Sequence, residues 1–219
     1  MTIKILNLYA GIGGNRKLWK DVDVTAVEIN PDIAKIYQDF FPDDKVIVGD
    51  AHQYLLEHYK EFDFIWSSPP CPTHSRLRKA MHGTRCGGDA VYPDMKLYEE
   101  ILLLEGYFKG KWVIENVISW YDPLIKPYTL ERHYFWSNIV LTNIKVTNGK
   151  INITNGQNKE TDEEQINRLS KDFGFDLTNY NGDKRTMLRN CVNPITGLHI
   201  FEMAFKRPQL TLFGEEKGE

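Results

Sequence analysis

The run from Ile65 to Arg76 sets one cysteine among prolines: Ser67, Ser68, Pro69, Pro70, Cys71, Pro72, Thr73, His74, Ser75. Phe62 to Trp66 reads as a short apolar strand that the prolines cannot continue, since each fixes φ and lacks an N–H. Cys71 is therefore expected on a stiff rim at the strand's C-terminal end, the edge where α/β sheets take ligands. A thiol there can be a nucleophile, a metal ligand or a small core residue. Cys86 and Cys191 supply no C-x-x-C pair, which argues against zinc, and no metal is expected. The exposed, polar setting that the Pro-Pro frame provides favours the nucleophile. Glu115 ends a second apolar run, Lys111 to Ile114, at the same expected edge, where a carboxyl can hydrogen-bond a ring nitrogen. Arg132 opens a following strand and offers a fork of donors.

Other strand ends also carry chemistry. Ile3 to Tyr9 reads as a strand that breaks into the glycine turn Ala10 to Gly14, after which Asn15 to Lys20 is expected to open a helix. Such a turn lets backbone N–H groups approach an anionic ligand closely. The spacing departs from the dinucleotide fingerprint, because Arg16 stands where the third glycine belongs, and a plain strand-to-helix turn explains this stretch as well. Val22 to Val27 leads to Glu28, and Val46 to Gly49 leads to Asp50. A carboxylate ending the second strand can accept both ribose hydroxyls of a nucleoside cofactor, and one ending the third can receive an adenine amino group. Single acids at strand ends are ordinarily just solvated. Three successive strand ends converging on one pocket are harder to dismiss.

After Cys71 the chain is basic, with Arg76, Arg78, Lys79 and Arg85 against Asp89, and it holds Gly83, Gly87 and Gly88. This is either a surface loop or one that closes over a phosphate backbone. Leu97, Ile101, Leu104 and Phe108 mark one face of a helix from Asp94 to Phe108. A polar stretch from Lys145 to Gly156 precedes a helix from Thr161 to Lys171, with Thr161 as cap and Glu164 three residues on. Asn193 and Pro194 break the chain before a last helix, Ile195 to Phe205, expected to return beside the glycine turn.

At 219 residues and 42% hydrophobic, the chain can bury one good core with a small appendage. Three cysteines without framework spacing suggest a reducing compartment, and no leader or membrane span is read, so a cytoplasmic protein is expected. A net charge of −3 leaves no whole-chain footprint for nucleic acid, so any such contact must be a local basic patch.

The succession Tyr9 to Gly14, Val27 to Asn30, Gly49-Asp50, Ser68 to Cys71 with Ser75, Glu115 to Val117, the Arg132 strand and Arg189 to Pro194 resembles the DNA cytosine-5 methyltransferase family. The likeness is to a small phage- or bacterial-type member, of the kind found in restriction-modification systems. It covers most of the chain except about 143–188 and the tail.

The resemblance implies an α/β fold, the Rossmann-like S-adenosylmethionine-dependent methyltransferase fold, with a mostly parallel twisted sheet and a small recognition insertion. It implies a catalytic core over 1–142, a reduced target-recognition insertion over 143–188, a returning helix over 189–207 and a tail over 208–219. It also implies methyl transfer to C5 of a flipped-out cytosine in DNA through Cys71, with Glu115 at N3 and Arg132 at O2. S-adenosylmethionine would lie against Tyr9, Gly11, Ile12, Gly14, Glu28, Ile29, Asp50, Pro70 and Asn190. DNA would meet Ser75, Arg76, Arg78, Lys79 and Arg85. One branch of the family methylates transfer RNA with the same motifs, and a non-catalytic DNA-binding subunit on this fold is a further alternative.

Three departures stand out. Pro72 replaces the family's usual Gln, one arginine of its Gln-x-Arg-x-Arg motif is visible and matched to Arg132, and the link from Glu115 to Arg132 lacks room for the usual helix and strand. The recognition region is small, so short or relaxed sequence specificity is expected. Gln209, Leu210, Leu212 and Phe213 are similar to the peptide by which bacterial proteins dock on the DNA sliding clamp.

Overall fold

The computed structural model describes residues 2–81, 91–147 and 160–205, without the side chains of residues 77, 78 and 81. Four near-continuous apolar runs become strands that are buried over most of their length: Ile3–Leu8 (β1), Val22–Glu28 (β2), Phe64–Ser67 (β4) and Lys111–Val117 (β5). Strands with helices on both faces lose the apolar/polar alternation, which is why they read as runs. Lys45–Val48 (β3) is more exposed and forms one edge. Tyr128–Leu130 (β6) and His133–Ser137 (β7) form the other as an antiparallel pair. The order is β3-β2-β1-β4-β5-β7-β6, with β1 to β5 parallel and β7 antiparallel to β5. This is the expected α/β, Rossmann-like class of fold with a mostly parallel sheet.

Helices cover both faces. Pro31–Phe40 (α1), Ala51–His58 (α2) and Lys96–Tyr107 (α4) alternate with the strands, while Arg76–Met81 (α3) follows the cysteine loop. Side chains on alternate positions of β1, β4 and β5 sort into two layers. Leu6, Ile65 and Ile114 pack with Leu55 of α2 and with Leu97 and Leu104 of α4. Ile5, Phe64, Trp66 and Val113 pack on the other face, with Trp19 and with Ile200 of the last helix, Pro194–Phe205 (α7).

Asp162–Phe173 (α5) begins at the expected Thr161, whose side chain and that of Glu164 form a reciprocal capping box. Its Leu169 and Phe173, with Phe175, Leu177 and Leu188, pack against Ala10, Ile12, Tyr37 and Phe41. Lys184–Arg189 (α6) runs from there into α7.

Two expectations change. No helix opens at Asn15; the chain passes through turns instead, because the Arg16 guanidinium reaches Asp44 with two bonds, 2.9 and 3.0 Å, and Tyr37 donates to the same carboxylate. The link after Glu115 has room for the short strand β6 as well as β7, though for no helix. Among the described residues, no helix is long and apolar enough to cross a membrane.

Candidate active site

Parallel strands with β1 paired to both β2 and β4 bring their C-terminal ends to one edge, with the crossover reversal between β1 and β4. Tyr9, Glu28, Asp50, Cys71 and Glu115 all issue from that edge. The turn after β1 is shaped by glycine. Gly13 has φ +86, and a Cβ there would stand 2.3 Å from the Phe41 ring, while one at Gly14 would stand 2.5 Å from the Val192 carbonyl. Gly11, at φ +54, faces open space. α7 packs on the segment that follows this turn: Gly197 lies against Asn15, and Trp19 donates its indole N–H to the Gly197 carbonyl at 3.1 Å. Ile12 is buried in the layer of Tyr37 and Phe41, so what it can offer a ligand is its backbone.

Glu28 ends β2 with one carboxylate oxygen accepting the Gly11 N–H and the other the Asn30 N–H, both at 3.0 Å. Each oxygen keeps a lone pair, so the group can still accept hydroxyls. Ile29, next to it, is 69% exposed, a bare apolar surface at the rim. Asp50 caps α2, and bonds from the Gln53 and His52 N–H groups hold its carboxyl below the usual range. An exposed apolar side chain, a carboxylate with lone pairs to spare and open room at Gly11 are groups of the kind an adenosine moiety uses.

Cys71 begins the turn that leads into α3, its carbonyl accepting the N–H of His74 and Ser75. Burial, and after it the nearby Glu115 carboxylate, pushes the thiol up to about 11. Glu115 is 8% exposed, and the next residue, Asn116, donates its side-chain N–H to the Pro69 carbonyl at 3.0 Å. The β4 loop and β5 are thereby tied together beside the sulfur. Pro70 is exposed at the rim, and Asn190 closes α6 on the surface.

β5 and β7 pair Glu115 with Phe135 and Val117 with His133, so residue 133 shares the face of residue 115. His133 Nε2 stands 3.7 Å from Glu115 Oε1. Arg132 lies one place earlier, in the β6–β7 turn that Glu131 bends with φ +53. Sequence reasoning missed His133, although the alternation of β7 is the signal that finds it.

His74 was missed as well. It is 1% exposed, bonded to the Tyr121 hydroxyl at 2.6 Å, with Nε2 buried and unpartnered.

Of the residues expected at nucleic acid, Ser75 forms a β-bridge to Ser119, Arg76 donates to the Ser119 carbonyl at 2.9 Å, and Lys79 lies 4.6 Å over the Trp120 ring. These contacts fasten the segment after Cys71 to the loop after β5. The Arg78 side chain, Arg85 and the tail residues Gln209, Leu210, Leu212 and Phe213 lie outside what the structure describes. No group of three metal-ligating side chains occurs among the described residues.

Known proteins share parts of this chain. A tRNA (cytosine(38)-C(5))-methyltransferase from Spodoptera frugiperda is 35% identical over 86 residues, covering 36% of this chain and 26% of that protein. The chain thus spans about a quarter of that curated relative. Among solved structures, the Spodoptera frugiperda DNMT2 E260A/E261A/K263A mutant is similar with TM-score 0.36 and 26% identity, over 53% of this chain and 36% of that one. A putative methyltransferase, yhhF from Escherichia coli, is similar with TM-score 0.41 and 14% identity, over 62% and 74%. Residues 3–97, which hold the glycine turn, Glu28, Asp50 and Cys71, match the model of the C-5 cytosine-specific DNA methylase family.

Proposed function

We propose that the protein transfers a methyl group from S-adenosylmethionine to C5 of a cytosine in DNA. The observation that carries this reading is the meeting of the loop after β4 with β5: Asn116 holds the Pro69 carbonyl, and the Glu115 carboxylate acts on the Cys71 thiol. Cytosine C5 is a weak nucleophile. As the Cys71 sulfur bonds to C6, the Glu115 carboxylate takes the thiol proton, the ring's electrons shift toward N3 and C5 becomes enamine-like. Glu115 then passes that proton to N3, neutralising the charge gathering there. Arg132 binds O2 from the turn before β7. S-adenosylmethionine, when bound, supplies an electrophilic methyl on a sulfonium. Loss of the C5 proton then reforms the double bond and expels the sulfur. C6 is inaccessible inside a duplex, so the target nucleotide must leave the stack.

Glu28 would hold the ribose hydroxyls, Ile29 the adenine face and Asp50 its amino group, with Tyr9, the backbone of Gly11, Ile12 and Gly14, and Pro70 and Asn190 around them. Ser75, Arg76, Arg78, Lys79 and Arg85 would follow the phosphates. Residues 143–188 serve as a reduced recognition insertion, and Gln209 to Phe213 as a peptide for the bacterial sliding clamp. The setting is the cytoplasm.

RNA is the second reading, favoured by the similarity to the Spodoptera tRNA (cytosine(38)-C(5))-methyltransferase. Tritiated S-adenosylmethionine offered with DNA and with tRNA side by side tests both. DNA is expected to be labelled, and DNA containing 5-fluorocytosine is expected to trap the protein covalently, because that base cannot lose its C5 substituent. Label on tRNA alone moves the substrate to RNA, and a Cys71→Ala variant as active as the parent overturns the chemistry.

A further inference from the structure

The chemistry proposed above leaves one buried acid unused. Glu100 lies in α4 with none of its surface exposed. Its carboxylate accepts the Tyr9 hydroxyl at 2.7 Å and the Ser67 hydroxyl at 2.6 Å, and lies 3.1 Å from His52 Nδ1. A carboxylate is kept in such a place only when donors and a counter-charge surround it. The hydrogen bond to Glu100 above all raises the His52 pKa, so the imidazolium can be that counter-charge. Glu99 at 3.4 Å, Lys96 and Asp50 are the other charged groups that act on His52. Asp50 and Asp94 also act on Tyr9, whose burial and bond to Glu100 keep it a protonated donor.

The three partners come from three segments: the turn after β1, the end of β4 and the first turn of α2. Each segment also carries residues of the site: Gly11 follows Tyr9, Pro70 and Cys71 follow Ser67, and Asp50 precedes His52. Tyr9 has φ +54, a left-handed conformation that tyrosine rarely adopts and that surrounding contacts must hold.

We propose that Glu100 is a positioning residue for the cofactor: one buried carboxylate fastens the Tyr9 ring, the start of α2 and the strand end before Cys71 in the arrangement that admits S-adenosylmethionine. The inference rests on the cofactor reading above and goes beyond it in assigning a role to α4, His52 and Ser67. It acts at a distance, through Tyr9 and the two rims, so its mark is on binding and on His52 together.

The test is calorimetry with S-adenosylhomocysteine on the full chain and its Glu100→Gln, Tyr9→Phe and double variants, with Glu105→Gln on the exposed side of α4 as control. Each single change is expected to weaken binding roughly tenfold, the loss typical of a hydrogen bond to a charged group. The double variant is expected to bind no worse than Glu100→Gln, because Tyr9→Phe removes a bond that Glu100→Gln already weakens. NMR should show the His52 titration falling in Glu100→Gln and moving in the parent when ligand is added. Affinities within twofold of the parent, or additive losses in the double variant, overturn the inference while leaving the functional reading intact. If Glu100→Gln does not fold, Tyr9→Phe decides by the same threshold. A parent protein that binds no S-adenosylhomocysteine overturns both.

Discussion

A thiol raised to about 11 is almost wholly protonated at neutral pH, so the free protein holds its nucleophile in reserve. Burial is the larger cause and the Glu115 carboxylate the second, which fixes the sign of a test. Replacing Glu115 by Gln removes the negative charge, lowers the thiol pKa and leaves more thiolate at any pH below it. Iodoacetamide is therefore expected to label Cys71 slowly at pH 7.5 and faster as pH climbs toward 11, with Glu115→Gln labelled several-fold faster than the parent at pH 7.5. An unchanged rate in the variant would mean that the carboxylate does not act on the sulfur. The same variant should lose methyl transfer, by roughly a hundredfold or more, because it gains thiolate but cannot deliver a proton to N3. His133 belongs to this group by contact. His133→Ala is expected to raise the KM for the nucleic acid more than that for the cofactor, since the imidazole lies on the Glu115 face of β7, with β5, β4 and β1 between it and Glu28 of β2. Steady-state kinetics with each substrate varied in turn reads the difference.

At the scale of elements, the glycine turn separates two uses of a missing Cβ. Gly14→Ala drives a methyl into the Val192 carbonyl and the Cys191 Cβ, 2.5 and 2.8 Å away, and the link between α6 and α7 must shift to make room. A loss of about 1–3 kcal/mol is expected in urea unfolding. Gly11→Ala meets nothing within 4 Å and costs only the strain of φ +54, about 1–2 kcal/mol, but its methyl enters the room above the turn. Its loss should therefore fall more heavily on S-adenosylhomocysteine affinity than on stability.

Sequence spacing revealed this turn, and with it β1, β2, β4 and β5, because buried parallel strands are apolar runs with punctuation at each end. The helix expected at Asn15 failed for a reason no local window contains: Arg16 is claimed by Asp44, 28 residues on. The choice between residues 132 and 133 is set by strand register, which a short turn decides and composition does not. Glu100 was legible in principle. It sits between Leu97 and Leu104 on the stripe that α4 buries, and an acid on an apolar stripe signals a buried polar network.

For the molecule as a whole, the question is how much surface remains to read a target. The described part of the segment after Asn143 is largely committed to the fold. Leu169, Phe173, Phe175 and Leu177 complete the layer over Tyr37 and Phe41. Arg168 is bonded to Glu160 at 2.6 Å and stands 3.6 Å from Asp172, while Arg185 reaches Gln165 at 2.8 Å and Asp162 at 3.2 Å. Sequence is read by side chains that reach base edges, the most specific being a free arginine fork on guanine. Forks already held by carboxylates must break those pairs before they can read. With a net charge of −3, little non-specific attraction compensates. The expected outcome is methylation at a short or relaxed consensus, each position contributing weakly. Bisulfite sequencing of a plasmid treated with this protein alone reads it directly: modified cytosines should share only two to four flanking positions, roughly what one or two base contacts specify. A consensus of six fixed base pairs in which Arg168 takes part would require it to exchange its carboxylates for a base on binding, and Arg168→Lys would then relax the consensus at one position.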